Sequence, residues 1–291
     1  MTPVKPQNSF VARAALTAVG AVLSIGIAAC GAGKDAAGTP AATASSNQPL
    51  ASKSFVLVHG AWQGAWAWSD EAAALRARGA TVTVVELPGH GDDMTPVPAD
   101  TLDAYVAKTA AAIDASPNQV ILVGHSLAGA VITEAVEARA SRIDRVVYLA
   151  AYVPKDGEKV LDIANTDAAS HIKDGLALDM QNGLAAIAKD KLADIFCADC
   201  TPEALASLIA HYRDEPLPAF VTPVHSTAEN WGQSSKFYIY TKQDHAVSYD
   251  LQQKMTAGIT WTGTATLDTS HSPFLSAPDA LTNALADIAT R

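Results

Sequence analysis

The chain has 291 residues, of which 49% are hydrophobic and 17% are charged, so it can bury a sizeable core and is not intrinsically disordered over most of its length. A formal net charge of −10 argues against a nucleic-acid-binding protein, whose surface would be basic. Three cysteines are too few for a disulfide-stapled scaffold and contain no pattern of a structural zinc site.

The first residues have the composition of an export signal. Residues 1–13 carry two positive charges and no acid, and residues 14–29 form an uncharged, mostly apolar run. This run is shorter than the roughly 20 residues that a membrane-spanning helix needs. It ends in Ile27-Ala28-Ala29-Cys30, which resembles the lipobox of bacterial lipoproteins, where the cysteine is lipidated and becomes the mature N-terminus. The alternative is an ordinary secretory signal that is cut after an A-x-A-like site.

We therefore expect a lipoprotein-type signal peptide over residues 1–29. Residues 30–53 are rich in glycine, alanine, serine, threonine and proline, a composition typical of a flexible tether. The prediction is an exported protein of a bacterial cell envelope, attached to the membrane only through lipid on Cys30.

From residue 54 onward, short β-rich runs alternate with helical patterns. The first predicted strands are FVLV (55–58), TVTVVEL (81–87), QVILVG (119–124) and RVVYLA (145–150). Helices are predicted between them, over 69–79 with Ser69 and Gly79 as caps, from Thr101 onward, and over 127–140. This alternation indicates an α/β fold with a mostly parallel sheet that is covered on both faces.

The alternation stops after Pro154. Residues 155–230 contain Ala-rich helical segments and no convincing strand, and the strand pattern resumes with KFYIYT (236–241) and ITWTGTATL (259–267). We therefore predict one domain over residues 54–291, in which residues 155–230 form a helical cap over the C-terminal edge of the sheet.

A serine lies at the turn between a predicted strand and the next helix. The segment Gly124-His125-Ser126-Leu127-Ala128-Gly129 directly follows QVILV, which is the setting of a nucleophile elbow. The usual pattern is G-x-S-x-G, and its fifth position is Ala128 here, which is still small. The alternative is an ordinary glycine-rich turn with a surface serine.

A nucleophilic serine needs a base, and the base needs an acid that holds its tautomer. His271 lies in a polar loop after the last predicted strand, and Asp244 directly follows FYIYT. Both positions are at C-terminal strand ends, where such a sheet builds its site. His245 is a rival base, and Asp250 and Asp268 are rival acids.

An acyl-transfer site also needs N–H donors for the developing oxyanion. The backbone amide of Leu127, directly after the serine, is one candidate. The amide of Ala61 is the other, because Gly60 lets the loop after the first strand turn its amides inward. We interpret Trp62 and Trp66 as core residues on one helical face rather than as a surface for stacking substrate.

These motifs together resemble a known family. FVLVHGAW, LPGHG, GHSLAG, VVYLAAYVP, FYIYTKQD and SHSPF are similar to segments of α/β-hydrolase fold proteins, in the esterase branch with plant methylesterases, salicylate-binding protein, hydroxynitrile lyases and bacterial carboxylesterases. The resemblance covers nearly all of residues 54–291. It implies a Ser126–Asp244–His271 triad, an oxyanion hole from Ala61 and Leu127, a cap inserted after the sixth strand, and no cofactor or metal.

The cap also carries Cys197 and Cys200. In an exported protein we favour a local disulfide between them, with two free thiols as the alternative. A thioredoxin-like redox role is disfavoured because the βαβ setting is absent from the surrounding sequence.

The expected function is a serine carboxylic-ester hydrolase that acts on small to medium apolar esters through an acyl-enzyme. One alternative is a hydroxynitrile-lyase-like C–C lyase that uses the same triad, and another is a lipid-anchored small-ligand-binding protein with vestigial activity. In the related lyases a threonine replaces the glycine of the HG loop and a lysine follows the catalytic histidine. These positions are Gly60 and Ser272 here, which favours hydrolysis. The expected partner is a small ester, and the oligomeric state is left open.

Overall fold

A computed structural model describes residues 49–94, 96 and 101–291. The predicted signal peptide, Cys30 and most of the tether lie outside the described residues. No helix within the described ranges is long and apolar enough to cross a membrane.

The strands include those predicted and three further short ones. In chain order they are β1 (Ser54–Val58), β2 (Thr81–Val85), β3 (Val120–His125), β4 (Ile143–Leu149), β5 (Leu176–Asp179), β6 (Leu184–Ile187), β7 (Glu215–Pro216), β8 (Lys236–Thr241) and β9 (Gly263–Leu267). Six of them form one parallel sheet in the order β2-β1-β3-β4-β8-β9. The predicted parallel α/β fold is confirmed.

The order of the strands creates a crevice at one edge of this sheet. The chain runs from β1 outward to β2 and then returns to β3 on the other side of β1. The loops after β1 and β3 therefore leave the sheet in opposite directions, and the space between them is where open α/β sheets bind ligands. These two loops carry the predicted oxyanion donor Ala61 and the predicted nucleophile Ser126.

Helices cover both faces of the sheet. They are α1 (Ser69–Ala77), α2 (Thr101–Asp114), α3 (Ala128–Arg139), α4 (Val160–Ala164), α5 (Ile172–Gly175), α6 (Leu192–Phe196), α7 (Pro202–His211), α8 (Pro218–Val221), α9 (Tyr249–Thr256), α10 (Pro273–Ser276) and α11 (Pro278–Thr290).

Apolar side chains of the strands pack into both layers of helices. In β1, Phe55 and Leu57 join one buried cluster while Val56 and Val58 join the other, as the period of two along a strand requires. Leu50 also belongs to the core, and its N–H donates to the Arg78 carbonyl at 2.7 Å. The packed body therefore includes residues that precede β1.

The start of α1 differs from its prediction. Ser69 is the first residue of the helix rather than its N-cap, and its hydroxyl donates to the Trp66 carbonyl at 2.8 Å. A 3₁₀ turn over Ala65–Trp68 leads directly into the helix. The hydroxyl therefore donates to a carbonyl of that turn instead of accepting an N–H at the start of α1.

The cap is not purely helical, which corrects the prediction for residues 155–230. In this region β5 and β6 form an antiparallel hairpin, and β7 pairs with β6. The carboxylate of Asp179 accepts the N–H groups of Gln181 and Asn182, each at 3.0 Å, and Gly183 has a φ of +67° at the turn. Strands of two to four residues carry too little alternation to be recognised from sequence.

The position of the cap in the chain also differs from the expectation. It is inserted after the fourth sheet strand of the described residues, β4, rather than after the sixth. The expectation came from the family resemblance, and the described residues contain no strand before β1.

Candidate active site

The loop after β3 holds Ser126 in the conformation of a nucleophile elbow. Ser126 has a φ of +55°, a left-handed conformation that is costly for a residue with a Cβ atom. Its N–H donates to the Leu149 carbonyl at 3.2 Å, and its carbonyl accepts the N–H of Tyr152 at 3.1 Å. A Cβ atom at Gly124 would lie 2.8 Å from the Ala128 carbonyl oxygen, so glycine is needed for this close approach.

His271 and Asp244 form a buried pair at the same edge of the sheet. The Nδ1 atom of His271 lies 2.8 Å from Oδ2 of Asp244, and the two side chains are 1% and 0% exposed. Donation from Nδ1–H to the carboxylate leaves the lone pair on Nε2, which is the atom that a general base uses. This orientation makes His271 chemically competent to accept a proton.

The histidine lies beside the serine elbow. The rings of His125 and His271 are 4.5 Å apart between centroids, and His125 directly precedes Ser126. Within the described part of the chain, the Ser126 hydroxyl makes no hydrogen bond. Contacts of this kind are commonly long in substrate-free sites and tighten when substrate binds.

Five donors surround the Asp244 carboxylate. Besides His271, Oδ2 accepts from the Thr241 hydroxyl at 2.8 Å and the Gln252 side chain at 3.1 Å. Oδ1 accepts the N–H groups of Ala246 and Val247, each at 2.8 Å. These contacts satisfy the buried carboxylate and fix the direction in which it faces the imidazole.

The rival residues are placed differently. Asp250 and Asp268 are exposed, and Asp268 accepts from the side chain of Gln243 at 3.1 Å. The Nδ1 atom of His245 lies 3.0 Å from a carboxylate oxygen of Asp194 in the cap, so it pairs with a different acid.

His125 supports the loop that carries His271. Its Nε2–H donates to the His271 carbonyl at 2.9 Å. Burial, together with the neighbouring His271, lowers the pKa of His125 well below its usual range. The ring is therefore neutral at ordinary pH and acts as a hydrogen-bond donor rather than as a second base.

The two predicted oxyanion donors both lack a protein acceptor. Among the described residues, neither the Ala61 N–H nor the Leu127 N–H donates to a protein oxygen. The loop of Ala61 passes close to the nucleophile, since a Cβ atom at Gly60 would lie only 2.7 Å from Cβ of Ser126. Two free amides beside a nucleophilic serine are the arrangement that an oxyanion hole requires.

Comparisons with known proteins agree with this geometry. The model of the alpha/beta hydrolase family matches residues 55–284. The chain belongs to the alpha/beta hydrolase family. The predicted family is therefore confirmed, and the matched range includes every residue described above.

Individual relatives of the hydrolase come from plants and bacteria. Putative methylesterase 14 of Arabidopsis thaliana is 30% identical over 261 residues, which cover 84% of the chain and 74% of the relative. A carbendazim hydrolyzing esterase of a Nocardioides species is 40% identical over 109 residues, or 37% of the chain and 45% of that protein. The crystal structure of a pyrethroid hydrolase from Sphingobium faniae has the same fold, with a TM-score of 0.75 at 22% identity over 82% of the chain and 97% of that structure.

A cap residue that was not predicted from the sequence holds the loop after β1, which carries the candidate oxyanion donor Ala61. Glu215 is 0% exposed, and its Oε2 atom accepts the N–H of Trp62, directly after Ala61, at 3.0 Å. Oε2 also accepts from Nε2 of His90 at 2.7 Å, and Oε1 accepts from the Tyr105 hydroxyl at 3.1 Å. A lone glutamate in a Pro-rich segment carries no sequence signal for this role.

Glu215 and His90 form a buried ion pair. Burial alone would lower the pKa of His90, but the negative charge and hydrogen bond of Glu215 outweigh it and raise the pKa. Nδ1 of His90 lies 3.1 Å from the Pro88 carbonyl, so both ring nitrogens have acceptors and the protonated ring is satisfied. The pair links the cap to the loops after β1 and β2.

Two other cap carboxylates bind backbone amides of the catalytic loops. Asp199 accepts the N–H of Ser270, which precedes His271, at 2.9 Å, and it also accepts the Ser270 hydroxyl. Asp167 accepts the N–H and the hydroxyl of Ser248, in the loop after β8, at 2.8 and 2.6 Å. The cap thus contacts the loops of Ala61, Asp244 and His271 through carboxylates.

The predicted cysteine pair flanks one of these carboxylates. Cys197 and Cys200 form a disulfide, with Cα atoms 5.1 Å apart. Asp199 lies inside the small loop that this bond closes. The disulfide therefore restricts the backbone that presents Asp199 to Ser270.

A cavity of about 240 Å³ lies under the cap. Ser126 and His271 do not line it. Its wall includes Trp62, which follows Ala61, and Tyr152, whose N–H donates a hydrogen bond to the Ser126 carbonyl. Most of its wall is apolar, with contributions from Trp62, Tyr152, Leu161, Ile172, Leu176 and Phe220.

The tryptophan prediction is only partly right. Trp62 is 4% exposed, but it lies in a turn with a φ of +62° and lines the cavity, so it does not share a helical face with Trp66. Trp66 lies in the 3₁₀ turn before α1 and stacks on His211 of the cap, with ring centroids 5.0 Å apart. The glycines around these residues break the helical spacing that the prediction assumed.

Proposed function

We propose that the protein is a serine carboxylic-ester hydrolase. The observation that carries the proposal is the buried His271–Asp244 pair, joined at 2.8 Å, beside a serine in the left-handed elbow conformation. The names of its relatives, methylesterase and carbendazim hydrolyzing esterase, support the same class of reaction.

The proposed reaction proceeds through an acyl-enzyme. The Ser126 hydroxyl attacks the ester carbonyl carbon while Nε2 of His271 takes its proton, and Asp244 stabilises the imidazolium that forms. The amides of Ala61 and Leu127 bind the oxyanion of the tetrahedral intermediate. Collapse of the intermediate breaks the C–O bond, and His271 returns the proton to the departing alcohol. A water molecule then attacks the acyl-enzyme while His271 takes its proton. The second tetrahedral intermediate releases the carboxylic acid, and His271 returns the proton to Ser126.

Replacement of the nucleophile tests this proposal. The Ser126→Ala variant is expected to lose about 10³-fold or more in kcat for p-nitrophenyl butyrate while remaining folded, because the oxyanion donors stay in place. A fluorophosphonate probe should label the wild-type protein and fail to label the variant. Wild-type turnover by the variant would remove Ser126 from the mechanism.

The expected substrates are small to medium apolar esters. The apolar wall of the cavity favours a hydrocarbon group in the acyl or alcohol part of the substrate, and the methylesterase relatives favour a small alcohol. A panel of esters in which the acyl and alcohol parts are varied separately tests this. We expect kcat/KM to rise with apolar acyl size up to a limit and to fall steeply for charged acyl groups.

Lyase chemistry is the alternative within catalysis, and the local structure disfavours it. Ser272 follows His271, is 0% exposed, and its hydroxyl accepts from the Gln63 side chain at 3.1 Å, so this position supplies no positive charge for a departing cyanide. A threonine at Gly60 would clash with the elbow, because even its Cβ atom would lie 2.7 Å from Ser126. We expect mandelonitrile cleavage at background, and efficient cyanide release with inert esters would overturn the hydrolase proposal.

A binding protein with vestigial chemistry is the other alternative. Such a protein would bind apolar ligands with unchanged affinity after Ser126→Ala and would not react with a fluorophosphonate. The free amides of Ala61 and Leu127 beside Ser126 favour the enzyme, because a ligand-binding site gains nothing from an empty oxyanion hole.

We further propose that the protein is exported and lipid-anchored at Cys30. The support is the sequence alone, in which an apolar segment ends at Ile27-Ala28-Ala29-Cys30. In a Gram-negative host, the full-length protein should fractionate with membranes and incorporate labelled palmitate, and Cys30→Ser should abolish both. Because Gly31 rather than aspartate follows the cysteine, we expect the outer membrane. A membrane-free, unlabelled wild-type protein would refute the anchor.

A further inference from the structure

Two histidines and one aspartate meet outside the candidate active site. Nδ1 of His171 lies 2.8 Å from Oδ2 of Asp194, and Nδ1 of His245 lies 3.0 Å from Oδ1 of the same carboxylate. One ligating atom from each of the three residues lies within 4.8 Å of the other two. Each carboxylate oxygen thus faces one imidazole, and the set carries a net negative charge when the rings are neutral.

The three residues come from three separate segments, and backbone contacts hold these segments together. His171 precedes α5 and Asp194 lies in α6, both in the cap, whereas His245 follows β8 in the body. The His171 N–H donates to the His245 carbonyl at 2.8 Å. The neighbouring Ser170 hydroxyl donates to the Ala246 carbonyl, also at 2.8 Å. Hydrogen bonds to the backbone therefore position the cluster independently of its own side chains.

The donor set has the chemistry of a transition-metal site. Imidazole nitrogen suits zinc, copper and nickel, whereas magnesium and calcium prefer sites made of oxygen alone. Zinc with ligands at roughly 2.0–2.1 Å in tetrahedral geometry needs neighbouring ligand atoms about 3.3 Å apart. Two of the three spacings, 2.8 and 3.0 Å, lie slightly below this value and the third pair of ligand atoms lies within 4.8 Å, so small shifts of the side chains would place all three around one ion.

We propose that His171, Asp194 and His245 bind one zinc ion, with water completing the coordination. The ion would take the Nδ1 lone pairs, and each neutral ring would then carry its proton on Nε2 instead of donating it from Nδ1 to Asp194. All three residues are partly exposed, with side chains 37–48% accessible, so the ion can enter from solvent without unfolding.

The position of this site gives it a structural role. It joins two cap segments to the body loop after β8, which also carries Asp244, the residue directly before His245. On the cap side, Ser170 and Ile172 flank His171 and line the cavity. A bound ion would therefore clamp the cap onto the body between the acid of the candidate triad and the cavity.

The test is a titration of tag-free protein, freed of metal with a chelator, with zinc chloride in a calorimeter. We expect one equivalent to bind with a Kd in the micromolar range or below, and calcium and magnesium chlorides to give no binding. Cobalt(II) should bind with the visible absorption of a tetrahedral nitrogen–oxygen site. Zinc at a hundredfold excess over the Kd should raise the Tm by roughly 5 °C.

Matched variants assign the site. His171→Asn and His245→Asn should each weaken zinc binding at least tenfold and abolish the rise in Tm. His225→Asn is the control, because His225 is another cap histidine, with Nδ1 3.5 Å from an aspartate, Asp156, but with no second histidine beside the pair. This control should bind zinc within twofold of wild type.

The outcomes separate cleanly. Circular dichroism first establishes that each variant is folded. If His245→Asn is not folded, the test relies on His171→Asn, which is remote in sequence from Asp244. No stoichiometric zinc binding by the wild type would overturn the proposal, and so would wild-type affinity in folded His171→Asn. Neither result bears on the ester hydrolase proposal, since no step of that reaction uses the ion.

Discussion

The catalytic edge of the sheet and the cap are built on different physical principles. The sheet consists of hydrogen-bonded strands five to seven residues long that pack on the helices through apolar side chains, and β1 and β3 are buried over their whole length. The cap consists of helices and strands of two to ten residues. Its attachment to the loops of Ala61, His271 and Asp244 depends on three carboxylates: Glu215 and Asp167, which are buried, and Asp199, which is exposed.

This difference separates two tasks. The sheet places the candidate catalytic groups, because parallel strands bring their C-terminal ends to one edge. The cap fixes the loops between those strand ends, because its carboxylates accept backbone N–H groups next to the reacting residues. Loss of a group at the sheet edge should therefore remove a chemical step. Loss of a cap carboxylate should let the loop that it binds move away from the geometry that this step needs.

The largest expected effect is at the sheet edge. Asp244→Asn should lower kcat by several orders of magnitude, because an amide cannot hold the His271 tautomer as the carboxylate does. Asp268→Asn is the control, since Asp268 is exposed and its carboxylate accepts a hydrogen bond from the side chain of Gln243 rather than from His271. Steady-state kinetics on p-nitrophenyl butyrate measures both. A larger loss in Asp268→Asn would reassign the acid.

A cap carboxylate should have the next largest effect. Glu215→Gln leaves one accepting oxygen where the carboxylate uses two, so Trp62, His90 and Tyr105 can no longer all be satisfied. We expect kcat to fall about 10–100-fold with little change in KM, because the oxyanion loop is displaced. The exposed cap acid Glu203, changed to glutamine, should leave kcat unaltered. If the two variants were equally active, Glu215 would have no role in positioning the oxyanion donor Ala61.

The disulfide loop should give a smaller effect. Asp199→Asn is expected to reduce kcat/KM a few-fold, because the loop before His271 loses a charge-assisted contact to Ser270. Reduction of Cys197–Cys200 should reproduce part of this loss, because the backbone that presents Asp199 becomes less constrained. In Asp199→Asn, reduction should then have no additional effect, and a full second loss would mean that the disulfide acts elsewhere.

The smallest effect on activity is expected where a body carboxylate has no partner. Glu71 in α1 is 0% exposed, and burial raises its pKa to about 8. Neither of its oxygens has a hydrogen-bond partner among the described residues. The folded protein therefore keeps a proton that the unfolded chain loses near pH 4.5, so its stability falls as the pH rises from about 4.5 to 8.

Glu71→Gln should remove this dependence. We expect the variant to be more stable than wild type by about 4 kcal/mol at pH 8 and equally stable at pH 4, with kcat unchanged. Urea unfolding at several pH values measures the difference. Asp70→Asn, an exposed neighbour in the same turn, should change nothing, and a flat pH profile in the wild type would contradict the assignment.

The sequence predicted the sheet edge better than the cap, for physical reasons. The strand before Ser126 is a continuous apolar run with a tight turn, and the loops of Asp244 and His271 follow further such runs. Because each of these residues lies just after a parallel strand, the sequence alone places them at one edge of the sheet. The same reasoning left three acids open, and only the tertiary structure shows that Asp250 and Asp268 face solvent while Asp244 faces His271.

The cap could not be predicted in this way because its contacts join residues far apart in the chain. Glu215 lies 153 residues from the Trp62 amide that it binds, and nothing local marks it as buried. One signal was available, since Asn182-Gly183 between short apolar runs is typical of a hairpin turn, and β5 and β6 flank it. The strands themselves were too short to show a period.

The cap carboxylates bind main-chain amides of the body, and this has a consequence for how such a protein can diversify. Every amino acid except proline supplies an N–H, so an exchange of Trp62, Ser270 or Ser248 keeps the amide donor, although the two serines would lose their hydroxyl contacts. A new cap needs only three acids at the right places to dock on the same body. The residues that select the substrate can therefore change over evolutionary time while the chemistry at the sheet edge stays the same.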